Sequence, residues 1–83
     1  MANTPEKTIR VGRGVKASIW LNSGQNGTWR NVTIARTFKR NGKLEDSTSF
    51  GLQELPFVEK AAALAYAYIR EVEENEQQID EAA

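Results

Sequence analysis

The sequence predicts an α+β fold in which an antiparallel β-meander of three to four strands is followed by one C-terminal α-helix packed on one sheet face. In the first half of the chain, polar and apolar residues alternate between turns rich in glycine and asparagine. The second half instead has apolar residues at helical spacing. At 83 residues the chain has room for one domain. We expect this domain at 8–72, a flexible N-terminus at 1–7, and an acidic, frayed or disordered tail at 73–83.

The first strand region runs from Thr8 to Asn22. Its apolar residues share one parity, and the opposite parity is mostly polar: Ile9, Val11, Val15, Ala17, Ile19 and Leu21 against Arg10, Lys16, Ser18 and Trp20. Two glycines, Gly12 and Gly14, interrupt the alternation, and glycine inside a strand pattern marks a bulge, a bend or a break. The region is therefore either one bent strand or two short ones, Thr8 to Val11 and Val15 to Asn22.

The second strand region runs from Thr28 to Arg40, with Val32, Ile34 and Phe38 on the core parity. If Trp20 pairs with Trp29, Ala17 lies opposite Val32, and the apolar faces of the two strands coincide. Both tryptophans then lie on the other face. A register shifted by two residues would keep these faces, whereas a shift of one would turn the core outward.

The Asn41-Gly42 dipeptide signals the next hairpin. A two-residue loop would set Phe38 opposite Glu45 and send Leu44 to the polar face. A three-residue turn through residues 40–42, with Gly42 as a bulge, instead pairs Phe38 with Leu44, and this is the geometry that the parity favours. It also places Arg36 opposite Asp46, an ion pair that Arg13 could share.

The helix is predicted from Glu54 to about Gln77, with Pro56 in its first turn. Five alanines lie between residues 61 and 67 and permit close approach of another backbone. A helix of this size would be roughly 33 Å long, longer than a short sheet requires. We therefore expect a homodimer, in which the helix contributes Ala61, Leu64, Ala65, Tyr68 and Val72. An ordinary helix lying on its own sheet explains the first three turns equally well.

The net charge of zero conceals a division between the two halves of the chain. Residues 1–43 contain nine basic residues and one acidic residue, a net charge of +8, and residues 44–83 contain two basic and ten acidic residues, a net charge of −8. This asymmetry suggests nucleic-acid binding, with an acidic counterweight that could compete for the basic face. The alternative is that basic and acidic elements simply neutralise each other in the fold.

Cysteine and histidine are both absent from the sequence. The chain therefore lacks disulfides, thiolate metal ligands and the usual general base. Its carboxylates cluster in the predicted helix and tail, not around a pocket, so we expect no enzymatic activity, metal, cofactor or small-molecule substrate. The N-terminal residues do not resemble a signal peptide, and no apolar segment is long enough to cross a membrane. These features predict a cytoplasmic protein with no membrane partner.

The sheet face away from the helix has the composition of a binding platform. Basic side chains attract phosphates, aromatic rings stack on bases with little sequence preference, and hydroxyl and amide groups add hydrogen bonds. The predicted ligand is single-stranded DNA or RNA. The predicted contacts are Arg10, Lys16, Ser18, Trp20, Trp29, Asn31, Thr33, Thr37 and Lys39. The alternative is a cross-strand tryptophan pair that only stabilises a hairpin.

The segment Ile9-Arg10-Val11-Gly12-Arg13, the following strands, the Asn-Gly hairpin, Thr48-Ser49-Phe50 and the single helix together resemble the single-stranded-DNA-binding domain of the transcriptional coactivator positive cofactor four. Whirly and Pur-alpha domains share the general layout. The resemblance covers about residues 8–70. It implies four antiparallel strands and a helix, dimerisation partly through the helices, and a curved sheet face that grips unpaired DNA.

The resemblance also implies which segments contact DNA, namely those that hold Lys16, Trp20, Arg30, Phe38 and Lys39. Strand parity assigns Arg30 and Phe38 to the core side instead. Together, parity and resemblance favour Trp20, Trp29, Lys16 and Lys39, followed by Arg10. A second class of function remains open, in which the alanine-rich helix and the acidic tail form a protein-interaction or regulatory module that binds no nucleic acid.

Overall fold

Four antiparallel strands and one long helix form two layers. The structure is a computed structural model that describes residues 4–82, and the side chains of residues 4–76. The strands follow one another across the sheet in chain order, and a short 3-10 turn, Leu52–Glu54, leads into the helix. The strands are β1 (Lys7–Gly12), β2 (Val15–Gly24), β3 (Gly27–Arg40) and β4 (Lys43–Ser47), and the helix is α1 (Leu55–Ala82). The predicted α+β class, with the helix packed on one sheet face, is confirmed.

The turn between β1 and β2 resolves the first strand region into two strands. Arg13 and Gly14 both have positive φ, at 51° and 77°, as a tight hairpin turn requires, and a bulge shifts the register between Arg10 and Gly12. The turn also lies against β3, because the Thr37 amide donates a hydrogen bond of 2.8 Å to the Gly14 carbonyl. According to the sequence Arg13 could have shared Asp46, but the structure does not place it there. Its guanidinium forms an ion pair with Glu54 at 3.2 Å.

The β2–β3 register differs by two residues from the predicted one. Trp20 pairs with Asn31, Trp29 pairs with Asn22, and a two-residue turn closes the hairpin between Gly24 and Gly27. The predicted Trp20–Trp29 pair would have put Gly24 and Gln25 in the two-residue turn, whereas the observed turn is Gln25-Asn26. A shift of two residues preserves side-chain parity, so both tryptophans remain on the predicted face.

The β3–β4 hairpin has the two-residue turn that the parity argument rejected. Asn41 and Gly42 have φ of 51° and 78°, which is the left-handed pair that an Asn-Gly turn favours. Phe38 consequently pairs with Glu45, and Arg36 pairs with Ser47 instead of Asp46. The prediction was wrong because it required Leu44 to lie in the core. The preference of Asn-Gly for a two-residue turn determines the register instead. Leu44 therefore lies on the opposite face with 72% of its surface exposed.

The core is formed by three β2 residues and two helix residues. Val15, Ala17 and Ile19 are almost completely buried against Ala61 and Ala65. The two alanines let the helix approach the sheet closely, and its extensive contacts are with β2, β1 and, to a lesser extent, β3. Ala61 and Ala65 were predicted to form a dimer surface, but their side chains are already occupied within the chain.

The other predicted dimer residues keep some exposed surface. Leu64 is 37% exposed, and Val72 is partly buried. Tyr68 is also partly buried against the core, and its hydroxyl donates a hydrogen bond of 2.6 Å to Glu6. Only Leu64 and Val72 therefore combine apolar character with surface left over from intrachain contacts.

Secondary structure extends beyond residues 8–72 at both ends of the described chain. Strand β1 begins at Lys7, the Glu6 amide donates to the Ile19 carbonyl, and the helix continues to Ala82 without a break at residue 72. Residues 1–3 and residue 83, which belong to the predicted flexible ends, lie outside the described residues.

Arg30 connects the N-terminal segment with the acidic half of the helix. Its side chain is only 6% exposed and forms ion pairs with Glu6 at 2.9 Å, Glu76 at 3.1 Å and Glu73 at 3.8 Å. Burying a guanidinium is costly unless charged partners surround it, and these three carboxylates supply them. Part of the acidic run is thus engaged with a cation on the helix side of the sheet.

This cluster predicts a loss of stability in acid. The pKa of Glu6 lies below its ordinary value of 4.5, because Tyr68 and Arg30 donate hydrogen bonds to the carboxylate. A carboxylate with a lower pKa in the folded state stabilises the fold above its unfolded pKa, and that contribution is lost as the pH falls through the folded pKa. We expect the free energy of unfolding to fall below about pH 4.5. Urea titrations at several pH values should show that the free energy of unfolding falls less in acid for Glu6→Gln than for the control Glu59→Gln. Glu59 is an exposed carboxylate on the helix. Equal pH dependence in both variants would contradict the role of Glu6.

Candidate nucleic-acid interface

The sheet face opposite the helix, here called the open face, carries all nine predicted contacts. Val15, Ala17 and Ile19 point to the helix, so the alternate residues of β2 point away from it, and the pairing extends this assignment to the other strands. The open face includes Arg10 from β1, Lys16, Ser18 and Trp20 from β2, and Asn31, Trp29, Thr33, Thr37 and Lys39 from β3.

The two tryptophans lie near the β2–β3 turn as diagonal neighbours on adjacent strands. Such neighbours have Cα atoms roughly 7–8 Å apart. Trp29 is half exposed, and its ring lies over Gly24, where a missing side chain leaves room for it. Trp20 is partly buried, and its Nε1 donates a hydrogen bond of 2.9 Å to Thr33 Oγ1. One indole is therefore anchored to the sheet, while the other offers a large accessible ring.

The charged groups of the open face lie toward its other end. Lys16 Nζ forms an ion pair of 3.2 Å with Asp46, and Thr37 Oγ1 donates a hydrogen bond of 2.8 Å to the same carboxylate. These two contacts keep the pKa of Asp46 below its usual value, with the Thr37 hydrogen bond as the larger cause. Arg10 is the cross-strand partner of Lys16, and Lys39 is exposed beside Leu44.

The structure divides the basic residues between two faces and several turns. Of the nine in residues 1–43, the open face receives three: Arg10, Lys16 and Lys39. Arg13 lies in a turn and is bound to Glu54, and Arg30 is enclosed on the helix side. The charge of +8 in the first half of the sequence is consequently not one continuous patch.

The predicted contacts differ in how much surface they offer. Ser18 is only 8% exposed. The Thr33 and Thr37 hydroxyls are already hydrogen-bonded to Trp20 and Asp46. These three residues therefore stabilise the open face more than they present groups to a ligand. The exposed residues among the predicted contacts are Arg10, Trp29, Asn31, Thr33 and Lys39, and the Thr33 hydroxyl among them already accepts a hydrogen bond from Trp20. The open face also carries residues that were not predicted contacts, namely Thr8, Asn22, Ala35, Leu44 and Asp46. The Asn-Gly dipeptide was the sequence signal that placed Leu44 and Asp46 there.

The two residues on which parity and family resemblance disagreed both lie on the helix side. Arg30 is held by its carboxylates, and Phe38 is partly buried with the Arg36 guanidinium 5.1 Å from its ring centre. Of the five residues in the segments that the resemblance implied, the open face therefore carries Lys16, Trp20 and Lys39. The open face of this chain has its own set of aromatic groups, dominated by Trp29.

In residues 4–82, no helix has the length and apolar content needed to cross a membrane. Among the side chains of residues 4–76, no three acidic groups come together in a way that could hold a metal ion.

Comparison of the sequence and the fold with protein-family models, curated proteins and solved structures finds no match.

Proposed function

We propose that the open face binds single-stranded nucleic acid with weak sequence preference, and that the protein acts as a homodimer without enzymatic activity. One observation carries this proposal. The half-exposed ring of Trp29 shares a sheet face with three cations, on the side that the helix leaves uncovered. Exposed indoles stack on bases and cations attract phosphates, and neither interaction depends strongly on base identity.

The dimensions of the face suit an extended strand. From Trp29 to Lys39, β3 rises by about 33 Å at ~3.3 Å per residue, which sets the aromatic and the charged groups at opposite ends. Stacking on Trp29 requires an unpaired base, because the bases of a duplex already stack on one another. We therefore expect single strands to bind more tightly than duplexes of the same sequence.

Replacement of Trp29 by alanine tests the proposal. Loss of a stacked base costs roughly 1–3 kcal/mol, so we expect affinity for a labelled 20-nucleotide DNA to fall about fivefold to 150-fold. The measurement is fluorescence anisotropy at about 50 mM salt, where phosphate attraction is strong. In the unsubstituted protein, binding should also quench tryptophan emission. The matched control is Tyr66→Ala, because Tyr66 is an exposed aromatic residue on the helix.

Two outcomes would contradict the proposal. Equal affinities of the Trp29 and Tyr66 variants would show that stacking on the open face does not contribute. Failure of the unsubstituted protein to bind DNA or RNA at low salt would favour the alternative class, a protein-interaction module. That module could no longer rely on Ala61 and Ala65, whose side chains are buried.

The proposed homodimer draws support from apolar surface on the helix side of the sheet. Leu21 and Val32 are 49% and 38% exposed, and Leu64 of the helix is exposed to a similar extent. The chain itself buries few large apolar side chains, and small domains of this kind often gain stability by association. Light scattering should give twice the chain mass of 9.3 kDa. A mass of one chain at all concentrations would contradict the dimer.

A further inference from the structure

Asp46 is the only carboxylate that the described strands place on the open face. It extends from β4 and meets Lys16, which extends from β2, so the ion pair crosses the whole of β3. Ala35 is the cross-strand partner of Lys16, and its small side chain leaves room for the lysine to reach across. Thr37, the partner of Asp46, completes the arrangement through its hydroxyl.

The groups around Asp46 are those that commonly contact phosphate. Lysine and arginine side chains and threonine hydroxyls are among the groups that donate hydrogen bonds to nucleic-acid backbones. Here Lys16 and Thr37 donate to one carboxylate oxygen each, at 3.2 and 2.8 Å, and the charge of Arg10 is close enough to act on the same carboxylate. An anion thus already occupies a site built from donors on the face that we propose binds a polyanion.

We propose that Arg10, Lys16 and Thr37 form a phosphate-binding site of the open face, and that Asp46 occupies this site in the free protein and so limits affinity for the nucleic-acid backbone. This inference rests on the proposed function. Binding exchanges the carboxylate for a backbone phosphate, and Asp46, whose side chain is about half exposed, turns outward to solvent. The carboxylate keeps the face from binding phosphates indiscriminately and leaves base stacking to contribute a larger share of the affinity.

The test is Asp46→Asn, which preserves the size of the side chain and removes its charge. An exposed ion pair contributes little to folding, so we expect the variant to fold normally. Freeing Lys16 adds about one phosphate contact, which for single strands steepens the log–log salt dependence of affinity by about 0.7. At ~0.1 M salt this corresponds to about fivefold tighter binding of a 20-nucleotide DNA. Anisotropy titrations at several salt concentrations measure both quantities.

The matched control is Glu45→Gln. Glu45 is the neighbour of Asp46 on β4, lies on the opposite sheet face, and is also ion-paired, with Arg40 at 3.8 Å. It therefore undergoes the same change of charge without freeing Lys16. In a Lys16→Gln background, the gain from Asp46→Asn should shrink to that of the control. Far-UV circular dichroism and thermal unfolding verify that each variant is folded.

The outcomes separate this inference from the proposed function. If the unsubstituted protein binds DNA and Asp46→Asn binds with equal or lower affinity, the phosphate site is wrong and the proposed function stands. If affinity falls only for oligonucleotides that contain cytosine, Asp46 reads a base instead of occupying a phosphate site, and the inference is overturned. If none of the proteins binds, the proposed function fails and the inference fails with it.

Discussion

Replacement of Gly14 by alanine is expected to destabilise the fold by at least about 3 kcal/mol, from left-handed strain and a backbone clash together. A Cβ at this position would lie 2.3 Å from the Thr37 carbonyl oxygen. No side-chain rotation can relieve that contact, because the opposing atom belongs to the β3 backbone. The β1–β2 turn would have to move away from β3 and lose the hydrogen bond from the Thr37 amide to the Gly14 carbonyl. Urea unfolding followed by circular dichroism measures the loss.

Gly42 provides the control for this prediction. Its φ is 78°, nearly the same as that of Gly14, but no atom lies within 4 Å of the position that a Cβ would take. Gly42→Ala therefore meets the left-handed backbone cost without the clash, and that cost is about 1–2 kcal/mol. The difference between the two variants isolates the close approach of the turn to β3. Equal losses of stability in both variants would show that the β1–β2 turn can move away from β3 without cost.

The faces of the sheet could be predicted from the sequence, because side-chain parity survives an error of two residues in register. Ile19 and Trp20 fall on the predicted faces although their cross-strand partners differ from the predicted ones. The β3–β4 turn could not be predicted by the same argument. It required weighing an exposed Leu44 against the backbone preference of Asn-Gly, and an exposed leucine is a small cost because single apolar side chains are common on protein surfaces.

The distribution of charge between the two sheet faces could not be predicted by counting charged residues in the sequence. A block of nine basic residues suggested one basic surface, but strand alternation sends some cations to each face, and turns place others beside partners distant in the sequence. Arg30 and Glu76 are 46 residues apart, and Lys16 and Asp46 lie on strands that are not neighbours. These pairs follow from the two-layer packing and from the hairpin turns. The open face is therefore less basic than the sequence suggested, and Trp29 becomes its most distinctive group.

The helix shows a similar change of role for its alanines. Small residues at helical spacing permit close approach of any backbone, and the sequence alone could not decide between a partner chain and the chain's own sheet. The structure uses Ala61 and Ala65 for the latter. This choice leaves Ile19 and Val15 as the largest fully buried side chains. Stability therefore depends on very few residues.

Replacement of Ile19 by alanine is accordingly expected to remove a large part of the free energy of unfolding. Ile19 is fully buried between the sheet and the two core alanines, and neighbouring alanines are too short to fill the cavity. Such substitutions cost about 2–5 kcal/mol. A domain of this length has a total stability of about 4–12 kcal/mol. Urea unfolding should show a midpoint far below that of the unsubstituted protein. A loss below about 1 kcal/mol would mean that the helix closes over the cavity without resistance.

Leu21→Ala is the matched comparison, because Leu21 follows Ile19 on the same face of β2 but is 49% exposed. In a single chain this substitution should cost under about 1 kcal/mol, since little of the side chain is buried. In the proposed homodimer, Leu21 belongs to the covered face, so its loss should weaken association, and the unfolding midpoint should rise less with protein concentration than that of the unsubstituted protein. Ile19→Ala lowers the midpoint at every concentration. A small Leu21 effect that does not vary with concentration would remove this face from the dimer interface.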